Sequence, residues 1–163
     1  MPPAQPIPTA ASPAKQLAAF IARFDPPVQL LIRQALAALR KTYPTAVRLV
    51  YDNFNALAIG FCASPKASDC LVSVAAYARG VNLYFYHGAR LPDPKRRLEG
   101  AGRQGRFVRF EGPATAREPA VRALLRAAAR YARTPLPKTG VGPLVIRSVS
   151  PRRRPRTARR AAG

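Results

Sequence analysis

The segment of residues 50–61 constrains the fold of this chain more than any other stretch. An apolar run enters a polar turn at residues 52–55, and a second apolar run leaves it. In the second run Leu57, Ile59 and Phe61 alternate with small residues, which is the period-two pattern of a strand with two different faces. The segment therefore predicts a β-hairpin whose small face packs closely under a helix or a ligand.

Two helices are predicted before this hairpin. Each starts with a capping residue followed by proline, at Ser12-Pro13 and at Asp25-Pro26, and proline is favoured at the first helical position. Apolar side chains then recur at helical spacing. The second helix is expected to end at Tyr43-Pro44, because the residue before a proline avoids the α region.

Further strands and one more helix follow the hairpin. Alternating apolar patterns predict strands over 70–77, 81–87 and 106–110, and Glu118-Pro119 opens the last helix. Residues 144–149 fit either a short edge strand or an extended strap. This order predicts an α+β fold, with an antiparallel sheet of about five strands packed by two N-terminal helices and one C-terminal helix.

Composition divides the chain into four segments. We expect a disordered Pro/Ala-rich arm over 1–11, a folded domain over 12–134, the strap or edge strand within 135–150, and a disordered Arg-rich tail over 151–163. No apolar run approaches the roughly 18 residues that suggest a membrane span. The start of the sequence lacks the basic and apolar regions of a secretory signal. We therefore expect a cytoplasmic protein.

Two cysteines, Cys62 and Cys70, flank a loop. The pair is compatible with a disulfide, but free thiols are the expectation for a reducing compartment. No histidine lies close to them in the sequence, so a zinc site is not predicted. The acidic residues are never spaced to share one helix face, so no other metal site is predicted either.

Arginine dominates the charge of the chain. There are 28 Lys+Arg against 7 Asp+Glu, giving a formal net charge of +21. Such a charge favours polyanionic partners, although a genome rich in G and C would also raise Arg, Ala and Pro together. The residues predicted to bind a polyanion such as nucleic acid are Arg103 and Arg106 in a glycine-rich loop, Arg122, Arg126, Arg130 and Arg133 on the last helix, and Arg152, Arg153 and Arg154 in the tail.

Polar and aromatic side chains also mark a candidate ligand site at the hairpin turn and on the strand 81–87. The residues predicted to bind a small polar ligand are Tyr51, Asp52, Asn53, Asn55, Tyr84, Tyr86 and His87. Their side chains donate and accept hydrogen bonds. Both groups also have a structural explanation, because Asp and Asn stabilise turns and tyrosines commonly edge a core. No serine or cysteine nucleophile accompanies the single histidine in the sequence, so no catalytic residue and no cofactor are predicted.

The order and spacing of several segments resemble the YdhG-like domain family, long catalogued as a domain of unknown function. The resemblance covers roughly residues 16–133 and is carried by 28–41, 51–53, 56–61, 81–88, 98–102 and 106–110. It implies a compact α+β domain, and relatives have been grouped with frataxin-like intracellular iron chaperones. Where many members have a Tyr-Gly-Met-Pro-like turn, this chain has Tyr51-Asp52-Asn53-Phe54. It also lacks the clustered oxygen ligands that iron binding needs.

We therefore expect a cytoplasmic, non-enzymatic binding module of YdhG-like type, with a small polar ligand or a protein partner at the sheet and turn. The alternative is a nucleic-acid-associated basic protein that uses the arginine helix and the tail. A frataxin-like iron chaperone is a further alternative, which the positive charge of the chain opposes. The sequence predicts no oligomeric state.

Overall fold

Proline occupies the first position of each helix in residues 11–158, which are the residues that the structure describes. The missing N–H of proline costs nothing there, because the first amides of a helix have no partner inside it. The structure is a computed structural model. Its helices and strands are α1 (Pro13–Ile21), α2 (Pro26–Thr42), β1 (Val47–Asp52), β2 (Leu57–Cys62), β3 (Cys70–Tyr77), β4 (Gly80–Phe85), β5 (Arg106–Phe110), α3 (Pro113–Arg117), α4 (Pro119–Arg130) and β6 (Leu144–Val149).

The strands form one six-stranded sheet in the order β5-β4-β3-β2-β1-β6. Neighbours run antiparallel except β6, which runs parallel to β1. The predicted α+β fold is confirmed. The sheet has one strand more than expected, because residues 144–149 form an edge strand, and α3 adds a helix to the three that were predicted. The chain reaches this edge through Gly142, where a β-carbon would overlap the carbonyl oxygen of Ala46.

The two faces of the sheet differ in what covers them. On one face, helices pack on large apolar side chains of the strands and form the main core. Its most deeply buried members include Ile32, Leu39, Ile59, Leu83, Phe85, Phe110 and Leu124, and burial of each such side chain contributes about 1.5–3 kcal/mol. The other face has a small cluster formed by strand residues alone, Val47, Leu49, Cys62 and Cys70. We call this second side the open face.

The two cysteines form a disulfide, whereas the sequence favoured free thiols. Cys62 and Cys70 are direct partners in the register of β2 and β3. Because directly opposed residues of neighbouring strands bring their side chains together, the pairing places both sulfurs within bonding reach.

Two element ends also differ from expectation. The backbone leaves the α region at Tyr131 (φ −88°, ψ 4°), so Arg133 lies beyond α4 and does not share its face. The backbone leaves the extended region at His87 (φ −115°, ψ 31°), so this residue follows β4 and begins a short 3-10 turn. No helix in the described range 11–158 is long and apolar enough to cross a membrane.

Residues 151–158, the first part of the predicted Arg-rich tail, fold back onto the domain. They are held by hydrogen bonds to β1, to the hairpin turn and to Asp25. The predicted arm, apart from Ala11, and the last tail residues 159–163 lie outside the described residues.

Candidate functional site

Asp52 lies at the end of β1 on the helix-covered side, where it is 1% exposed. Three guanidinium groups reach its carboxylate. Arg23 Nη1 lies 3.1 Å from Oδ2, Arg153 Nε lies 2.5 Å from Oδ2, and Arg156 Nη2 lies 3.0 Å from Oδ1. We call these four residues the Asp52 cluster. Both carboxylate oxygens are occupied by the protein's own arginines, so we do not retain Asp52 as a ligand-binding residue.

The C-terminal segment wraps around the hairpin turn and supplies two of these arginines. The Ser150 amide donates to the Asp52 carbonyl at 2.8 Å, and the Arg154 amide donates to the Phe54 carbonyl at 2.8 Å. Arg156 Nη2 also donates to the carbonyl of Asn53 at 2.6 Å. These bonds satisfy the backbone of the turn, while the side chains of Asn53 and Asn55 remain exposed. The structure assigns the turn a structural role as the docking point of the C-terminal segment.

Tyr51, Tyr84 and Tyr86 lie together on the open face. The rings of Tyr84 and Tyr86 meet edge to face, with centroids 5.2 Å apart and planes at 84°. The Tyr86 hydroxyl lies 3.3 Å from Ser73 Oγ, and Tyr51 and Tyr86 both pack against the small strand cluster. Burial raises the pKa of Tyr86 and outweighs the opposing effect of Ser73, so its phenol is protonated at neutral pH. These tyrosines surround a floor of small residues, Ala58, Gly60, Ser73 and Ala75.

Two further aromatic residues belong to this face. Phe107 is the register partner of Tyr84, and Tyr77 follows Ser73 and Ala75 at alternate positions of β3. Tyr77 is 43% exposed. Strand alternation alone identifies both residues, because every second residue of a strand lies on the same face and the small residues of the hairpin show which face is the open one. Both strands have the predicted bounds, but Tyr77 and Phe107 were not among the predicted site residues.

Arginines flank the open face at both edges. Arg109 on β5 is the register partner of Asn82 and lies 3.6 Å from Glu99 through a largely exposed side chain. Arg147 on β6 is exposed and donates to the carbonyl of Pro65. At the β5 edge, the loop that carries exposed Arg103 approaches Tyr84 so closely that a β-carbon on Gly105 would overlap the tyrosine hydroxyl.

His87 is separated from these tyrosines by the sheet. It lines a small cavity of about 230 Å³ at the end of α4, together with Asp69, Arg90 and Arg133. Phe85 lines the same cavity, so His87 lies on the helix-covered side of the sheet. The predicted ligand site is thus divided among the open face, the Asp52 cluster and this cavity.

The arginines predicted to bind a polyanion are also divided. Arg122 and Arg126 line a groove between α2 and the α3–α4 pair. Arg106 donates to the carbonyls of Gly102 and Gly105, which fixes the glycine-rich loop, and Arg153 belongs to the Asp52 cluster. The remaining members are exposed, namely Arg103, Arg130, Arg133, Arg152 and Arg154. Arg154 lies over the ring of Phe54, with its guanidinium carbon 5.8 Å from the centroid.

Within residues 11–158, no group of three or more His, Cys, Asp or Glu side chains is placed to hold a metal ion. Comparisons with protein-family models, with curated proteins and with solved structures found no match. The fold and the half-buried tyrosines of the open face define the class as an α+β protein with a one-sided helix layer. Its resemblance to the YdhG-like family stays a prediction.

Proposed function

We propose that this protein is a binding module that binds single-stranded nucleic acid on the open face of its sheet. The observation that carries the proposal is the sidedness of the tyrosines. Four of the six tyrosines in the chain belong to this face, namely Tyr51, Tyr77, Tyr84 and Tyr86. Aromatic rings on an accessible sheet stack with bases of any sequence, because every base has a π face.

The charge around the open face supports the same proposal. Arg109 lies at the β5 edge of this side, where it is paired with Glu99, and exposed Arg147 lies on the edge strand β6, whereas Asp52 points to the helices. Phosphates need cations at the flanks, and bases need an uncharged centre for stacking. The net charge of +21 adds a sequence-independent attraction that weakens as salt rises.

A small polar ligand at Tyr51, Tyr84 and Tyr86 is the second candidate. It is favoured by the hydroxyl of Tyr86 beside Ser73 Oγ, which places two polar groups over the floor of small residues. The two candidates differ in which part of the tyrosine they use. Nucleic acid uses the ring, whereas a small polar ligand uses the hydroxyl.

Fluorescence anisotropy with a labelled single-stranded oligothymidylate tests the first candidate. Tyr51→Ala and Tyr84→Ala remove one stacking ring each and are expected to weaken binding about tenfold, within the range of about 1–3 kcal/mol per stacked base. Tyr51→Phe and Tyr84→Phe keep the ring and are expected to retain the affinity. Tyr131→Ala is the matched control, because Tyr131 is exposed at the end of α4, away from the open face.

Three outcomes oppose the nucleic-acid proposal. An equal loss of oligothymidylate affinity in Tyr131→Ala would show that exposed aromatic rings contribute to binding wherever they lie on the protein. Unchanged affinity in both alanine variants, with native circular dichroism, would remove the open face as the site. Loss of affinity in the phenylalanine variants would favour the small polar ligand.

A salt titration tests the role of the flanking charge. Arg109→Gln is expected to reduce the slope of log K against log salt by about 0.7, which is the release expected for one contact to a single strand. Arg130→Gln carries the same charge change on exposed α4 and is expected to leave the slope unchanged. Equal slopes for the two variants would contradict a phosphate contact at Arg109.

A further inference from the structure

A groove of about 720 Å³ lies between α2 and the α3–α4 pair. It belongs to the helix-covered side of the sheet, so it is separate from the open face. Its apolar lining includes Ala37 and Ala38 of α2, Ala116 of α3 and Leu125 of α4. The wall formed by α2 extends from Gln34 to Thr42, which is roughly 12 Å, or about two helical turns, at the rise of an α-helix.

The rim of this groove is basic. Lys41, Arg117, Arg122 and Arg126 line it from three helices, and its lining in the described residues includes no Asp or Glu. All four basic residues are exposed. An occupant therefore needs apolar side chains for the floor and negative charges for the rim.

A buried hydrogen bond holds the walls of the groove together. The hydroxyl of Tyr43, which follows α2, donates to the carbonyl of Leu125 in α4 at 2.5 Å. Burial raises the pKa of Tyr43, so the phenol keeps its proton at neutral pH. A groove fixed in this way loses little freedom when a partner docks, which favours affinity.

We infer that this groove binds an acidic amphipathic helix of a partner protein. Such a helix lays an apolar stripe into a groove through side chains spaced i, i+3, i+4 and i+7, and its acidic flanks meet the four basic residues of the rim. A second copy of this chain would bring a net charge of +21 against the same rim. Nucleic acid has phosphates for the rim, but it gains nothing from an alanine and leucine floor. This inference does not depend on nucleic-acid binding by the open face.

The probe is a fluorescein-labelled peptide of about 16 residues, long enough for partial helix formation. It carries leucine at the four stripe positions, glutamate on both flanks and alanine elsewhere. A second peptide has the same composition in scrambled order. We expect the patterned peptide to bind the full chain at least about tenfold more tightly than the scrambled one, because only the pattern places the leucines on one face.

Two pairs of variants separate the rim from the floor. Arg122→Glu/Arg126→Glu is expected to weaken peptide binding at least about tenfold, whereas Arg79→Glu/Lys138→Glu, with the same change of net charge outside the groove, is expected to change it less than about threefold. Ala37→Phe fills the groove without changing charge and is expected to weaken binding about tenfold. Ala123→Phe is its matched control, because Ala123 is exposed on α4 and does not line the groove.

The inference is overturned by equal binding of the patterned and scrambled peptides, which would leave only a basic surface. An equal loss of peptide affinity in the two charge-reversal variants, or an unchanged peptide affinity in Ala37→Phe, would also overturn it. A single-stranded oligothymidylate that displaces the patterned peptide from the wild-type chain, but binds Arg122→Glu/Arg126→Glu weakly, would assign the groove to nucleic acid. Folding of every variant is checked by thermal unfolding, and the alanine-to-phenylalanine pair keeps the test decisive if the charge reversals unfold the chain.

Discussion

Tyr51 and Asp52 are neighbours on β1, yet they belong to two regions with opposite properties. Tyr51 points to the open face, where no helix covers the sheet, and Asp52 points under the helices into the Asp52 cluster. The difference follows from the pleat of a strand, which sends successive side chains to opposite sides. Two polar residues in one turn are therefore not evidence of one site.

The Asp52 cluster also shows that several arginines of this basic chain have partners within the protein. The single carboxylate of Asp52 serves three arginines, and two of them have an aromatic ring as a second partner. The guanidinium carbon of Arg156 lies 5.6 Å from the centroid of Phe24, and that of Arg23 lies 5.5 Å from the centroid of Phe20. Cation–π contacts of this kind contribute more at buried Arg156 than at exposed Arg23. Part of the basic character of the chain is thus structural, whereas the four basic residues of the groove rim are exposed.

Asp52→Ala is expected to have the largest effect on folding. Removing the carboxylate leaves Arg156 buried without its counter-charge, and breaking a buried pair in this way costs about 3–5 kcal/mol. Urea unfolding followed by circular dichroism measures the loss in the free energy of unfolding. Tyr51→Ala, one residue away, is expected to weaken binding to the oligothymidylate while costing less stability. If Asp52→Ala loses less free energy of unfolding than Tyr51→Ala does, Asp52 is not the more important of the two residues for stability.

A double variant tests the cause of that loss. Asp52→Ala/Arg156→Met replaces the stranded charge with an apolar side chain, and it is expected to be more stable than Asp52→Ala alone. If the double variant is less stable than the single variant, the buried guanidinium is not the source of the cost.

Arg156→Ala is expected to have the next largest effect. Arg156 is 5% exposed and donates to Asp52 and to the Asn53 carbonyl, and hydrogen bonds to charged groups contribute about 1.5–3 kcal/mol. Arg152→Ala is the matched control in the same segment, because Arg152 is exposed, and a change of less than about 0.5 kcal/mol is expected. Urea unfolding of the two variants gives the comparison, and equal small losses would show that residues 151–158 do not stabilise the domain.

The sequence predicted most of the fold because its signals are local. Proline at helix starts, alternation in the strands and the turn at residues 52–55 each act within a few residues. The return of residues 144–158 could not be predicted in the same way. Its register depends on contacts between residues about a hundred positions apart, such as Asp52 with Arg156. The pattern at residues 144–149 fitted an edge strand or a strap equally, and composition made residues 151–158 look like a solvated tail.

The candidate site was predicted only in part for the same reason. Tyr51, Tyr84 and Tyr86 were identified by residue type, and strand alternation would have added Tyr77 and Phe107. Alternation also separates His87 from Tyr86 and Asp52 from Tyr51, since each pair occupies adjacent positions. The groove rim required tertiary structure, because Lys41, Arg117 and Arg122 come from three helices.

Asp69 contrasts with Asp52 in the kind of partner that its carboxylate has. Two neutral hydroxyls donate hydrogen bonds to the partly exposed carboxylate of Asp69, Ser64 Oγ at 2.6 Å and Thr134 Oγ1 at 3.0 Å. These bonds, with Ser64 first, lower the pKa of Asp69, and nearby Lys66 and Arg133 act in the same direction. A lowered folded-state pKa stabilises the protein at a pH above the ordinary aspartate value of about 3.9, and this contribution is lost as the pH falls through the folded-state value.

Ser64→Ala is therefore expected to raise the pKa of Asp69 toward its ordinary value, and Thr134→Val is expected to raise it less. Carbon-detected NMR titration of the side-chain carboxyl measures both shifts. The effect on stability is expected only above the titration of the group and should be smaller than that of Arg156→Ala, because hydroxyl bonds at an accessible carboxylate compete with water. An unshifted pKa in both Ser64→Ala and Thr134→Val would mean that the positive field of Lys66 and Arg133 governs Asp69. In that case the two aspartates would differ in burial and share the same kind of partner.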